Sequence, residues 1–152
     1  MTRLAADGLS VEVPPGWEGR IFTPHLPPPA ENHPVLHLAD VALPTDRSSY
    51  VETSATLRRA RGGIVCSLVG FGSGPADVGL YAPQGVPRLY ARDLDPRALQ
   101  VPVRDQAGVQ RFFSVAGRAF SLYVVATVDL HTAARLRTMN HTLASLQVEA
   151  GS

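Results

Sequence analysis

The sequence predicts an α+β domain built on a mainly antiparallel, twisted sheet with helices packed on it. Three observations carry that expectation. Strand-like segments follow one another across short polar breaks instead of alternating regularly with helices. The stretch QRFFSVAGRAFSLYVVATV, residues 110 to 128, is two apolar runs hinged at Ala116-Gly117-Arg118, the pattern of a long hairpin. Beyond it, Ala133, Leu136, Met139, Leu143 and Leu146 recur at three- and four-residue spacing, so residues 129 to 146 form an amphipathic helix able to roof one sheet face.

Each element follows from local pattern. Leu9, Val11 and Val13 alternate with Ser10 and Glu12, the period of a half-buried strand. Pro14, Pro15 and Gly16 end it and Arg20-Ile21-Phe22 restart one, so residues 9 to 23 predict a hairpin with Trp17 at its bend. Residues 24 to 34 are a proline-rich surface loop, and residues 35 to 43 a third strand. In residues 48 to 63, SSYVETSATLRRARGG, Ser48 or Ser49 caps a helix. Val51, Ala55 and Leu57 or Arg58 give it a modest apolar stripe, and Gly62-Gly63 stop it. The continuous apolar run Ile64 to Phe71 suits the middle of a sheet. Residues 72 to 108, rich in Gly, Pro and Asp, form a loop-rich insertion with one short strand or turn. Asp129 caps the last helix, after which residues 147 to 149 extend as an edge segment. The chain has no internal repeat, and 152 residues fit one domain with a real core.

Composition narrows the function classes. Hydrophobic residues are 45% and charged residues 18%, which predicts a globular chain. A net charge of +1 gives no electrostatic footprint for nucleic acid or an anionic membrane. All fourteen Lys+Arg positions are arginine, which with abundant Ala, Gly and Pro fits a GC-rich bacterial genome. Without lysine, Schiff-base chemistry is excluded. The single Cys66 lies in the apolar run IVCSLVGF, where a thiol behaves as a small hydrophobe. No leader-like or membrane-length apolar stretch is present, so a cytoplasmic location is expected.

Candidate chemistry is sparse. His33 and His37 are four apart, but on a strand that spacing separates them by about 13 Å, too far for one zinc with ligand bonds of about 2 Å. GFGSG, residues 70 to 74, follows an apolar strand yet lacks both GxGxxG and a lysine. It reads as a glycine-rich strand exit or bulge, and Ser73 is out of register for GxSxG. Cys66, His131 and Asp129 make a poor triad, because the thiol sits in a buried-looking strand and Asp129 has a capping role. At least one of Asn140 and His141 faces solvent, since both fall between the stripe positions Met139 and Leu143. The Arg58-Arg59-x-Arg61 cluster complements the negative end of its helix and is the best electrostatic contact for an acidic partner. Trp17 reads first as a lid over the end of the sheet, with its flank available to a partner.

The opening LSVEVPPGW, the hairpin QRFFSVAG/RAFSLYVVAT and the closing helix ending in NHTLASLQV together resemble the Mog1/PsbP-like fold in outline. That resemblance implies non-enzymatic binding, as in photosystem subunits, a Ran-binding factor, mycobacterial lipoproteins and Eag-type chaperones. The expectation is a chaperone, adaptor or assembly subunit of a larger bacterial complex, such as a contractile injection or secretion system. It needs no cofactor and recognises a protein through Trp17, Phe22, Leu26, Arg58, Arg59 and Arg61. The alternatives are a small hydrophobic ligand-binding protein, or a metal-dependent enzyme using His33 or His37.

Overall fold

Two antiparallel sheets carry the chain, described by the computed structural model over residues 1–45 and 47–150. The elements are β1 (Thr2–Ala6), β2 (Leu9–Val13), β3 (Glu18–Phe22), β4 (Val35–Ala39), α1 (Thr53–Ala60) and β5 (Ile64–Gly72). After a long irregular stretch come β6 (Gln106–Val115), β7 (Arg118–Thr127), α2 (Thr132–Ala144) and β8 (Gln147–Val148). One sheet has the order β3-β4-β5-β7-β6, the other β1-β2-β8. The α+β class is as the sequence predicts.

The β6–β7 hairpin forms as expected, closing at Val115↔Arg118. Ala116 and Gly117 both take left-handed backbone, φ 52° and 74°, the twist that a two-residue hairpin loop requires. The expected 9–23 hairpin does not form. Instead, β2 pairs with β1, a strand the sequence reading missed, and β3 pairs with β4. Between them Trp17 N–H bonds the Pro14 carbonyl at 3.1 Å, with Gly16 at φ 79°. That is a type II turn, whose third position needs the left-handed freedom of glycine. A turn of this hand splays flanking strands instead of pairing them. VPPGW is therefore a corner by which the chain leaves one sheet for the other.

The main core lies on one face of the five-stranded sheet. There Leu36, Leu38, Cys66, Leu68, Phe120 and Leu122 meet Leu9, Val11 and Val13 of β2 and Leu136, Met139 and Leu143 of α2. Each fully buried side chain of this size stabilises the fold by about 1.5–3 kcal/mol. The predicted α2 stripe is present except that Ala133 is exposed and Thr132 takes its place. Asp129 is not the cap residue. His131 is, and the Asp129 carboxylate accepts the His131 N–H at 2.8 Å while the Asp129 N–H bonds Thr132 Oγ1 at 2.8 Å.

The opposite face is roofed more lightly. Ala39, Val65 and Val125 lie beneath Val51, Leu57 and Leu99. α1 begins later than expected, with Glu52 at the cap position and neither serine capping. It ends with Gly62 N–H on the Leu57 carbonyl (3.0 Å) and Arg61 N–H on the Arg58 carbonyl (3.2 Å), the paired bonds of a Schellman motif. The left-handed residue is Arg61, φ 61°, one position before the glycines expected to stop the helix.

Residues 73 to 105 wrap the outer edge of β6, with 3-10 turns at Gly79–Tyr81, Ala91–Asp93 and Pro96–Ala98. Gly85 N–H and the Pro83 carbonyl pair with Ser114, and Asp95 pairs with Gly108. Among the described residues, no helix is long and apolar enough to cross a membrane.

Candidate functional site: an aromatic band beside α1

Strand register sets up the α1 face of the five-stranded sheet. Arg20, His37, Ser67, Tyr123 and Gln110 form one cross-strand row, and Phe22, Val35, Val69, Ser121 and Phe112 the next. The segment leading into α1 is stitched over the β4–β5 half of these rows. Arg20 donates through Nη1 to the Pro44 carbonyl and through Nε to His37 Nδ1 at 3.0 Å. His37 Nε2 donates to the Ser49 carbonyl at 3.0 Å, and Val51 N–H to Ser67 Oγ at 3.1 Å. His37, fully buried, is thus held by hydrogen bonds, as buried polar groups must be.

α1, eight residues long, packs Leu57 over the Val65 and Val125 end of β5 and β7, leaving the Ser121 and Phe112 end of β7 and β6 to other side chains. Aromatic side chains occupy the open ground. Phe71 and Tyr81 have ring centroids 5.9 Å apart, Tyr81 and Phe112 meet edge to face at 5.8 Å, and Tyr50 and Tyr123 at 6.3 Å. The two groups join at Ser121, whose Oγ accepts from Tyr50 Oη and Gln110 Nε2, each at 3.1 Å. Phe71 is 36% and Tyr50 39% exposed. Burial, and then the neighbouring Tyr50, raise the Tyr81 pKa; burial raises that of Tyr123. Both phenols therefore stay protonated and remain donors at neutral pH. At the Tyr123 end the band opens into a groove of about 630 Å³ lined by Tyr50, Leu99, Val101 and Gln110, and from α1 by Ser54 and Arg58. Ser54 and Arg58, four residues apart, share one helix face.

The six contact residues expected from the sequence do not converge. Arg58 lines this groove, and Arg59 and Arg61 stand exposed at the same helix end. Trp17 is half-buried against the main core, as a lid, and its flank lines a separate groove of about 620 Å³ with Leu4 and Pro44. Leu26 is 47% exposed on the proline-rich loop. Phe22 is only 7% exposed, packed with Val35 and Val69 and edge-on to His37 at 5.1 Å, yet together with Leu26 it lines a third groove, of about 740 Å³. Register puts it in a covered row, and the Arg20 and Arg47 guanidinium groups lie over its ring at 5.8 and 5.5 Å.

The other candidates resolve structurally. Gly70 to Gly72 is a bulge, and a side chain at Gly72 would put its Cβ 2.4 Å from the His33 ring. His33 bonds Glu31 at 3.0 Å while His37 serves Arg20 and Ser49, so the two imidazoles face different partners. Among the described residues, no three His, Cys, Asp or Glu side chains converge in a metal-binding arrangement. Cys66 points into the main core, where burial pushes its thiol pKa far up, and Asp129 is engaged with Arg135 at 2.9 Å.

Sequence reasoning missed Tyr50, Phe71, Phe112 and Tyr123. One signal was present: in Phe112-Phe113, adjacent strand residues point to opposite faces, so one ring had to leave the main core. No family model, curated protein or solved structure matches this chain.

Proposed function

We propose that this chain is a non-enzymatic protein-binding module, a chaperone, adaptor or assembly subunit, that seats an apolar segment of its partner on the aromatic band. The supporting observation is the half-roofed sheet face, which leaves Tyr50, Phe71, Tyr81, Phe112 and Tyr123 contiguous and partly exposed. Aromatic residues are enriched in the desolvated centres of interfaces, and tyrosine can lie wet when free and buried when bound. Arg58 on the groove wall, with Arg59 and Arg61 exposed at the same helix end, supplies a cationic rim suited to carboxylates flanking the apolar segment. The Mog1/PsbP-like outline belongs to this proposal and rests on the order of elements: strand, PPGW corner, long hairpin, closing helix.

The test is capture from the native host with the parent protein and with the double variant Phe112→Ser, Tyr123→Ala. The parent recovers a stoichiometric partner whose crosslinks map to this face, and the variant, still folded by circular dichroism, loses it. Failure of the parent to retain any stoichiometric partner overturns the proposal. The groove of about 630 Å³ favours a second reading, a small hydrophobic ligand, since its volume falls within the usual range for such sites. A thermal-shift screen of lipids and cofactors that moves the parent and not Tyr123→Ala selects that reading instead.

A further inference from the structure

On the face of the sheet opposite α1 lies a cationic cleft in which, among the described residues, no carboxylate pairs with Arg88, Arg92 or Arg137. Neither residues 86 to 92, VPRLYAR, nor α2, TAARLRTMNHTLA, contains an acidic residue. The two are locked together through Asn140, whose Oδ1 accepts the Leu89 N–H at 2.8 Å and whose Nδ2 donates to the Leu89 carbonyl at 2.7 Å. Leu89 itself is 1% exposed, so its neighbours Arg88 and Tyr90 are presented from a pinned backbone. Arg88, with Arg137 and His141 one turn apart on α2, lines a cleft of about 460 Å³. Beside it, the Arg88 and Arg92 guanidinium groups lie 5.6 and 4.3 Å from the exposed Tyr90 ring. The nearest carboxylate in sequence, Asp93, is already spent: Oδ1 faces Arg111 at 3.3 Å and Oδ2 accepts the Tyr90 N–H at 2.8 Å. Arg97 and Arg135, by contrast, have carboxylates of their own in Asp95 and Asp129.

The geometry points to a docking cleft for an acidic segment of a partner polypeptide, gripped by Arg88, Arg92 and Arg137 with His141 at its wall. Guanidinium forks match carboxylates in shape and charge, and the pinned loop lowers the ordering cost of binding. Three arginines are too few for a nucleic-acid backbone, which is held through roughly 6–10 phosphate contacts. The net charge of +1 adds no wider field to make up the difference. This cleft is independent of the aromatic band, which lies across the sheet.

Fluorescence anisotropy of a labelled oligo-glutamate peptide against the full chain tests the inference. Saturable binding that weakens with added salt is expected, falling by about twofold to fivefold for each of Arg88→Ala and Arg137→Ala. Arg97→Ala, which removes an arginine paired elsewhere, leaves the affinity unchanged. Asn140→Asp, which keeps the acceptor for Leu89 but places a carboxylate in the cleft, abolishes binding. Absence of saturable binding overturns the inference. So does equal binding by the Arg88→Ala, Arg137→Ala double variant, or tighter capture of a single-stranded oligonucleotide than of the peptide.

Discussion

Arg61 holds a backbone conformation that suits glycine. At φ 61° it occupies the left-handed position of the α1 Schellman motif, although Gly62 and Gly63 follow immediately. A side chain there costs about 1 kcal/mol relative to glycine. Arg61→Gly is expected to raise unfolding stability by about 0.5–1 kcal/mol in urea titrations while weakening partner capture, because it removes one cation of the rim. A variant no more stable than the parent would mean that Arg61 makes compensating contacts. Cys66 gives a simpler expectation at the same scale. With no exposed surface and a raised pKa, its thiol should be inert to a disulfide reagent in native buffer and react stoichiometrically once guanidinium unfolds the chain. Fast native labelling would show that β5 opens.

At the scale of elements, the start of α2 is tied down electrostatically. Arg135 reaches Asp129 at 2.9 Å and Asp40 at 3.5 Å, joining the helix to the end of β4. Burial acts to raise the Asp129 pKa, but the His131 N–H and the Arg135 guanidinium outweigh it, and the carboxyl ends below its usual range. A carboxyl depressed in the folded state stabilises above its unfolded pKa of about 3.9 and loses that contribution as pH falls through its folded value. Arg135→Met is therefore expected to cost no more than about 1 kcal/mol at neutral pH, after solvent screening, and to flatten the loss of stability between neutral pH and pH about 3. Denaturant titrations at the two pH values measure both, and an unchanged acid limb would contradict the assignment. Asn140→Ala should likewise free the loop at Leu89, costing about 1–3 kcal/mol for two lost hydrogen bonds to buried backbone. Hydrogen exchange at the Leu89 amide should accelerate more than exchange in β7. These elements differ in how far local sequence discloses them. Periodic burial made α2 and the β6–β7 hairpin legible. β1 was not, because only Leu4 and Ala6 of its five residues are partly buried and its signal lay in the Asp7-Gly8 turn. Residues 72 to 108 were opaque because single anchors, Leu89, Leu94 and Leu99, recur every five residues, a spacing that belongs to neither helix nor strand. The aromatic band stayed hidden for another reason: cross-strand register, which no local window contains, brings Phe112 beside Ser121 and so toward Tyr50.

For the whole molecule, the two sheet faces differ in what would be lost by uncovering them. On the α2 side the core joins both sheets and the helix, so removing volume there weakens every layer at once. On the other side α1 buries only Thr53, Thr56 and Leu57, and a helix shorter than about 12 residues has little stability of its own. α1 is therefore expected to open below the global unfolding limit, carrying with it the segment bonded to His37 and Ser67. Leu57→Ala and Leu136→Ala, each expected to cost about 2–4 kcal/mol, separate the two cases. Under native-state hydrogen exchange, Leu57→Ala should speed the amides of α1 and Val51 while β7 keeps most of its protection. Leu136→Ala should lower protection across β5, β7 and α2 together. If Leu57→Ala depressed β7 as far as it depressed α1, the roof would belong to the global folding unit. The aromatic band would then lack an adjustable wall, and a partner segment would have to fit the groove as it stands.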